Sequence, residues 1–128
     1  MIYIDSSVAL AYLLAETPVP CAAFWNARLV SSRLLEYEVW NRIHARQLGE
    51  SLGAEARSLL AGIELIELSE PVLARALGPW STTLRTLDAL HLATVEHLRS
   101  RGGSIELASY DNRFGAAGQA LGIRLVTL

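Results

Sequence analysis

The sequence contains no lysine, so all eleven of its basic residues are arginine. This absence excludes chemistry that depends on a lysine amine, including Schiff bases, the P-loop and aspartyl-phosphate enzymes with a phosphate-binding lysine. Cysteine is nearly absent as well, because Cys21 stands alone, and neither a disulfide bond nor a cysteine-based zinc site can form within the chain. The net charge of −2 provides no bulk attraction for nucleic acid, so such binding needs local arginines or bound cations.

The sequence also lacks an uninterrupted apolar run of the 18 or so residues that a membrane span needs. Its hydrophobic content is nevertheless 52% and its mean hydropathy is +0.29, which is enough to bury a substantial core. The first residues, MIYIDSSVAL, have no basic start and contain an acid at position 5, unlike a signal peptide. We therefore expect a cytoplasmic protein without membrane contacts, folded as a single domain over residues 1–128.

Strand-like and helix-like segments alternate along the chain. Short apolar or alternating runs predict five strands, at residues 2–4, 29–32, 63–68, 105–110 and 123–128. Segments with helical periodicity lie between these runs, most of them preceded by cap residues, and Gly49 and Gly53 indicate a turn. This alternation predicts the α/β class, as a three-layer α/β/α sandwich with a mainly parallel central sheet.

Two acidic residues directly follow predicted strands. Asp5 comes after residues 2–4, and Asp111 comes after residues 105–110. Because ligands of an open parallel sheet bind beyond the carboxyl ends of its strands, we expect these two carboxylates to meet at one edge. Each of them alone is also a typical helix N-cap, which is the simpler interpretation of either residue.

A third acid, Asp88, lies in TLDALHLATVEHL, whose leucines and valine predict a helix packed against a core. Two interpretations are open. Thr86 caps this helix and Asp88 occupies its first turn, where the backbone dipole favours an anion by about 0.3 to 1 kcal/mol. Alternatively, Asp88 converges with the other acids on a metal ion.

A fourth acid comes from SRLLEYEVWNRI, which contains Glu36 and Glu38. On a helix these side chains point about 160° apart, so at most one of them faces the same site. Asn41, one turn beyond Glu38, modestly favours Glu38 as part of a polar site. The alternative is an exposed ion pair between Glu38 and Arg42.

Four carboxylates in one place need a counter-charge. Two like charges about 4 Å apart repel by roughly 4 kcal/mol at an effective dielectric of 20, so such a cluster raises its own pKa values or holds cations. Ligands that are all oxygen select hard ions, and Mg²⁺ or Mn²⁺ fits them. Because such an ion polarises a phosphodiester and activates water, the pattern predicts phosphodiester hydrolysis.

Four blocks of the sequence resemble one known family. They are YIDSS near the start, SRLLEYEV with Ser32 and Glu38 six residues apart, RTLDALHLATV, and SYDNRFGAAGQALGIRLV near the end. In order and spacing these blocks resemble a PIN-domain ribonuclease of the VapC toxin type, over the whole chain. The resemblance implies RNA as substrate, Mg²⁺ or Mn²⁺ as cofactor, a homodimer, and inhibition by a small cognate antitoxin protein.

The resemblance also assigns residues. The family's metal-binding and catalytic acids fall on Asp5, Glu38, Asp88 and Asp111. The hydroxyl residues that orient the ligands or a water molecule fall on Ser7 and Ser109, to which the spacing adds Asn41 as a supporting residue.

Four arginines flank the proposed site in the sequence and are candidates for contacts with RNA phosphates, namely Arg33, Arg42, Arg85 and Arg113. Solvated helix faces and surface ion pairs explain each of them equally well. His91, one turn after Asp88, is more typical of a core-edge histidine than of a metal ligand in an all-oxygen site.

Three other functions stay open. The chain is alternatively a catalytically silent PIN-fold binding module, a nuclease directed at DNA, or a phosphatase or receiver domain with Asp5 as the reactive carboxylate. The missing lysine speaks against the last of these.

Overall fold

Five parallel strands form the centre of the fold in the computed structural model, which describes residues 1–128. In chain order the strands are β1 (Ile2–Ile4), β2 (Leu29–Ser32), β3 (Glu64–Ile66), β4 (Glu106–Ala108) and β5 (Arg124–Leu125). The helices are α1 (Ser6–Leu13), α2 (Leu34–Ala45), α3 (Gly49–Ala61), α4 (Glu70–Ala76), α5 (Thr86–Ser100) and α6 (Asn112–Ala120), and a short 3₁₀ helix covers Ala22–Asn26.

The order of the strands across the sheet is β3-β2-β1-β4-β5. β1 lies in the middle and pairs in parallel with β2 on one side and β4 on the other. The chain thus builds the sheet outward from β1 in one direction and then in the other, which opens a crevice beyond the carboxyl ends of β1 and β4. Because Ile4 pairs with Ala108, Asp5 and Ser109 leave the sheet side by side at this crevice.

Helices cover both faces of the sheet. Ile4 and Ala108 belong to a core formed with α1, α2 and α3, whereas Tyr3 and Leu107 point to the opposite face, which α5 and α6 cover. Helix α4 packs against α5. The expected three-layer α/β/α architecture is confirmed, and the sheet is parallel throughout. None of the six α-helices has the length and apolar character required to cross a membrane.

Two details of the sequence-based prediction are wrong. Gly49 and Gly53 do not form a turn, because α3 begins at Gly49 and continues through Gly53. The face that α3 buries, with Ala56 and Leu60, outweighs the cost of about 1 kcal/mol for a glycine inside a helix. The last three strands are also shorter than predicted, and β5 contains only two residues. An apolar or alternating pattern does not distinguish residues paired in a sheet from an extended connection.

Candidate functional site

A cavity of about 340 Å³ lies at the crevice beyond β1 and β4. All four acids that the sequence assigns to a metal site line it, namely Asp5, Glu38, Asp88 and Asp111. Each comes from a different part of the fold. Asp5 and Asp111 follow β1 and β4, Glu38 lies in the second turn of α2, and Asp88 lies in the first turn of α5.

Asp5 is the most deeply buried of the four acids, with 7% of its surface exposed. It caps α1, because its Oδ1 accepts hydrogen bonds from the backbone N of Ser7 at 3.1 Å and from the Ser7 hydroxyl at 2.5 Å. The Ser109 hydroxyl donates to Oδ2 at 2.6 Å. Burial raises the pKa of Asp5 above its ordinary value, and the hydrogen bonds from Ser109 and Ser7 oppose that shift by stabilising the carboxylate.

Ser7 and Ser109 also connect the segments that follow β1 and β4. The Ser7 hydroxyl oxygen accepts a hydrogen bond from the backbone N of Tyr110 at 2.9 Å, and the Ser109 hydroxyl oxygen accepts one from the backbone N of Asp111 at 2.9 Å. Each hydroxyl therefore accepts from the backbone while it donates to Asp5, which fixes its orientation.

Asp111 and Asp88 flank a single arginine. Asp111 caps α6, because its Oδ1 accepts from the backbone N of Arg113 at 2.9 Å and of Phe114 at 3.1 Å. The Nη2 of Arg85 lies 3.8 Å from Asp111 Oδ2, and its Nε lies 3.7 Å from Asp88 Oδ2. Burial raises the pKa of Asp88, the negative charge of Asp111 raises it further, and Arg85 partly offsets both effects.

The capping interpretations have two different outcomes. Asp5 and Asp111 do cap helices, and they also line the cavity, so capping and convergence are compatible. The prediction that Thr86 caps α5 is wrong, because the helix begins at Thr86 itself and its N-cap residue, Arg85, makes no side-chain cap. Asp88 therefore occupies the first turn without a capping partner and faces the other acids.

Two residues that the sequence pattern did not assign to the site hold Glu38. The Ser6 hydroxyl donates to Glu38 Oε2 at 3.1 Å, and Nε2 of His91 lies 2.5 Å from Glu38 Oε1. His91 is only 2% exposed, as a core-edge histidine should be, but it also lines the cavity. One signal for it existed in the sequence, because residues three apart on a helix, such as Asp88 and His91, share a face.

The neighbouring candidates on α2 lie elsewhere. Glu36 does not line the cavity and pairs with Arg33 at 3.3 Å, which leaves Glu38 as the acid of α2 at the site. Asn41 is exposed and lies outside the cavity, although the next residue of α2, Arg42, lines it. Its position does not support the role that its spacing suggested.

The four candidate arginines divide into two pairs. Arg42 lines the cavity, and Arg85 contacts two of its acids. Arg33 forms ion pairs with Glu36 and Glu67, outside the cavity. Arg113 is exposed and meets Asp111 only through its backbone N.

The donor set suits a hard cation, since all four acids offer carboxylate oxygens and no sulfur lines the cavity. Burial raises the pKa of Asp88, and the negative charges of Asp111 and Glu38 raise it further, as expected for a carboxylate that Arg85 compensates only in part. No group of three or more His, Cys, Asp or Glu side chains is arranged so that it could hold a metal ion. The four acids fit Mg²⁺ or Mn²⁺ in the chemistry of their oxygens and in lining one cavity, but not in their present arrangement around a common ion.

Comparisons with known proteins agree with this fold. A sequence model described as the PIN domain matches residues 2–119. Ribonuclease VapC46 of Mycobacterium tuberculosis (strain ATCC 25618 / H37Rv) is 36% identical over 98% of this chain and 95% of its own. Ribonuclease VapC35 of the same strain is 31% identical over 98% of this chain and 96% of its own.

A solved structure shares the fold. A chain of a toxin-antitoxin complex from Klebsiella pneumoniae superposes with a TM-score of 0.64 at 16% identity, covering 91% of each chain. The assignment to a family rests on the matched sequence model and on the two relatives, which align over nearly their full length, and not on the shared fold alone. The chain belongs to the PIN-domain family, as a member of the VapC type.

Proposed function

We propose that this protein is a divalent-metal-dependent endoribonuclease and the toxin of a toxin–antitoxin pair, with residues 1–128 acting as one nuclease domain. The observation that carries the proposal is the convergence of four acids from four parts of the fold on one cavity. Ribonuclease is also the activity named for the curated relatives. No feature of the cavity favours DNA over RNA.

Asp5, Glu38, Asp88 and Asp111 are the residues that would hold Mg²⁺ or Mn²⁺. When bound, such an ion supplies a Lewis acid for the phosphodiester oxygens and lowers the pKa of a water molecule for in-line attack. The chain's own contribution is to hold the carboxylates in place. Asp5 is the best fixed of them, because three donors contact its two oxygens.

Two arginines are suited to bind the RNA backbone. Arg42 lines the cavity, and Arg85 stands beside Asp88 and Asp111 with 67% of its side chain exposed. Guanidinium groups match phosphate geometry, and at a net charge of −2 the protein needs such local cations to attract RNA. Binding of RNA through Arg85 would also release that side chain from the acids.

The proposal includes two protein partners, a small antitoxin and a second copy of the chain. The related fold from Klebsiella pneumoniae was solved as a toxin-antitoxin complex. The surface of α4 and the start of α5 is rich in exposed leucine, with Leu77 89%, Leu87 47% and Leu73 45% exposed, as is typical of a surface that a protein partner covers. Acting on RNA with an antitoxin implies a cytoplasmic site of action.

The decisive test is cleavage of a 5′-labelled RNA by the purified protein, with Mg²⁺, with Mn²⁺ and with chelator. We expect cleavage only with metal, and a loss of about 100-fold or more in Asp5→Asn and Asp88→Asn, the scale typical of removing a group that stabilises the transition state. Glu36→Gln is a matched control, because Glu36 lies on α2 but pairs with Arg33 outside the cavity.

The outcomes separate the alternatives. Undiminished cleavage by Asp88→Asn would contradict the proposed site. Binding of RNA without cleavage in any metal identifies a silent binding module, and cleavage of single- or double-stranded DNA in preference to RNA identifies a DNA-directed nuclease.

A further inference from the structure

A buried chain of hydrogen bonds leads from Glu38 into the core. Oε1 of Glu38 lies 2.5 Å from Nε2 of His91, and Nδ1 of His91 lies 2.7 Å from the Tyr3 hydroxyl. The Tyr3 oxygen accepts a further hydrogen bond from the backbone N of Ser32 at 3.1 Å. Tyr3 is fully buried and His91 is 2% exposed, so water cannot easily replace a missing partner.

The Glu38 end of this chain sets the direction of its hydrogen bonds. The Glu38 carboxylate can only accept, so the Nε2–H of His91 donates to it. In a neutral imidazole Nδ1 is then the acceptor, and the Tyr3 hydroxyl donates to it. The Tyr3 oxygen in turn accepts from the backbone N–H of Ser32.

Glu38 is the acid whose position the backbone determines least. Asp5 and Asp111 are short side chains that cap α1 and α6, the helices that follow β1 and β4. Glu38 reaches the cavity from the second turn of α2 on a longer side chain with one more rotatable bond. Because only Ser6 and His91 donate to its carboxylate, its orientation depends on these two contacts.

The imidazole that holds Glu38 is itself fixed on several sides. The rings of Tyr3 and Phe114 pack edge-on against it, with centroids 5.8 and 6.0 Å away. His91 also follows Asp88 by three residues on α5. Helix α5 therefore carries both Asp88, an acid of the cavity, and His91, which contacts the Glu38 carboxylate.

We propose that His91 and Tyr3 are positioning residues that orient Glu38 for metal binding, an inference that rests on the proposed function. Neither side chain contacts RNA or the ion, since both act through the Glu38 carboxylate. If His91 were present only for packing, its loss would reduce stability alone. Positioning instead requires a loss of metal affinity, for which about 10- to 100-fold is the usual scale when a group that orients a metal ligand is removed.

Calorimetric titration with Mn²⁺ tests this in the purified protein. We expect His91→Leu to weaken binding by about 10- to 100-fold and Tyr3→Phe to weaken it by a smaller factor. His91→Gln keeps an N–H donor close to the position of Nε2 and should restore most of the affinity. Val95→Ala, a fully buried position of α5 outside the hydrogen-bond chain, should lower the melting temperature without changing the affinity. Equal affinities of His91→Leu and Val95→Ala would overturn the proposal.

The metal-free protein provides an independent readout. Nitrogen-15 NMR of the imidazoles should show His91 as one tautomer, protonated at Nε2 with slow proton exchange, and Tyr3→Phe should shift the Nδ1 resonance, because it removes the donor to that atom. A ring protonated at Nδ1, or exchange as fast as at the exposed His44, contradicts the positioning chain.

Measurements on the purified wild-type protein distinguish a failure of the proposed function from a failure of the positioning role of His91 and Tyr3. If the wild-type protein neither binds Mn²⁺ nor cleaves RNA, the proposed function fails. In that case, NMR relaxation of the Glu38 side chain still tests whether His91 positions Glu38. Greater motion of Glu38 in His91→Leu than in the wild type supports it, and equal motion overturns it.

Discussion

Replacing Asp88 by asparagine should stabilise the metal-free protein while it removes activity. Asparagine has nearly the same shape, and Asp88 accepts no capping hydrogen bond that the substitution would lose. Its carboxylate is destabilised first by burial and then by the charge of Asp111, and Arg85 at 3.7 Å only partly offsets these effects. The dipole of α5 opposes them by about 0.3 to 1 kcal/mol.

The direction of the pKa shift of Asp88 tells whether the destabilising effects of burial and Asp111 exceed the stabilising effects of Arg85 and the helix dipole. Its pKa is raised above the ordinary value, so folding favours the protonated acid and the charged form costs stability. With 23% of the side chain exposed, solvent screens part of this cost, and we expect Asp88→Asn to be more stable than the wild type at neutral pH by at most about 1 kcal/mol, the upper end for screened charge interactions. A gain of this size corresponds to a rise of roughly 2 to 4 °C in melting temperature.

The pH dependence provides the control for this prediction. Below the ordinary pKa of about 4, Asp88 is protonated in both the folded and the unfolded protein, so the variant and the wild type should melt together there. The difference should grow as pH rises through the raised pKa and then level off. Thermal unfolding followed by circular dichroism in chelator, at pH 3.5 and pH 7, measures it. A variant that is less stable than the wild type at pH 7, or a gain that does not change with pH, refutes the reasoning.

Three further substitutions have expected outcomes. Gly118→Ala should destabilise the fold by about 1 kcal/mol in urea unfolding, because the new Cβ would lie 2.6 Å from Cδ2 of the buried Leu107. We expect this clash to cost more than alanine gains in helix propensity, and a variant as stable as the wild type or more stable contradicts that. Arg85→Gln should weaken RNA binding and reduce the slope of log affinity against log salt by about 0.7, and an unchanged slope means that Arg85 contacts no phosphate. Ser109→Ala removes the donor to Asp5 Oδ2 and should weaken Mn²⁺ binding by about 10-fold in calorimetry; wild-type affinity contradicts it.

The parts of the site that follow strands could be predicted from the sequence. Asp5 and Asp111 come directly after apolar runs, and in a parallel sheet this position alone brings them to one edge. Their contact with Ser7 and Ser109 follows from the same geometry, because residues within three positions of a strand end have little freedom to diverge.

The residues on helices were harder to predict, since their direction depends on how the helix packs. Apolar residues surround α2 almost completely, so periodicity did not decide between Glu36 and Glu38. The buried positions Leu35, Val39 and Ile43 set the rotation of α2 in the fold. The partner of His91, in turn, is an acid from a different helix, and no pattern within α5 reports such a contact.

The extent of the strands could not be predicted for a related reason. The pattern of residues 105–110 continues past Ala108, but Ser109 and Tyr110 leave the sheet, and Ser109 hydrogen bonds with the Asp5 carboxylate. This hydrogen bond joins residues more than a hundred positions apart in the sequence, so no local pattern reports it.

Anomalous diffraction from crystals soaked in MnCl₂ is the most direct test of the metal site on which the proposed activity depends. We expect an anomalous peak inside the cavity, within bonding distance of oxygens from at least two of the four acids, and its absence from crystals of Asp88→Asn. Manganese found only on the protein surface, or a cavity without a peak at saturating Mn²⁺, would contradict the assignment of these carboxylates as metal ligands.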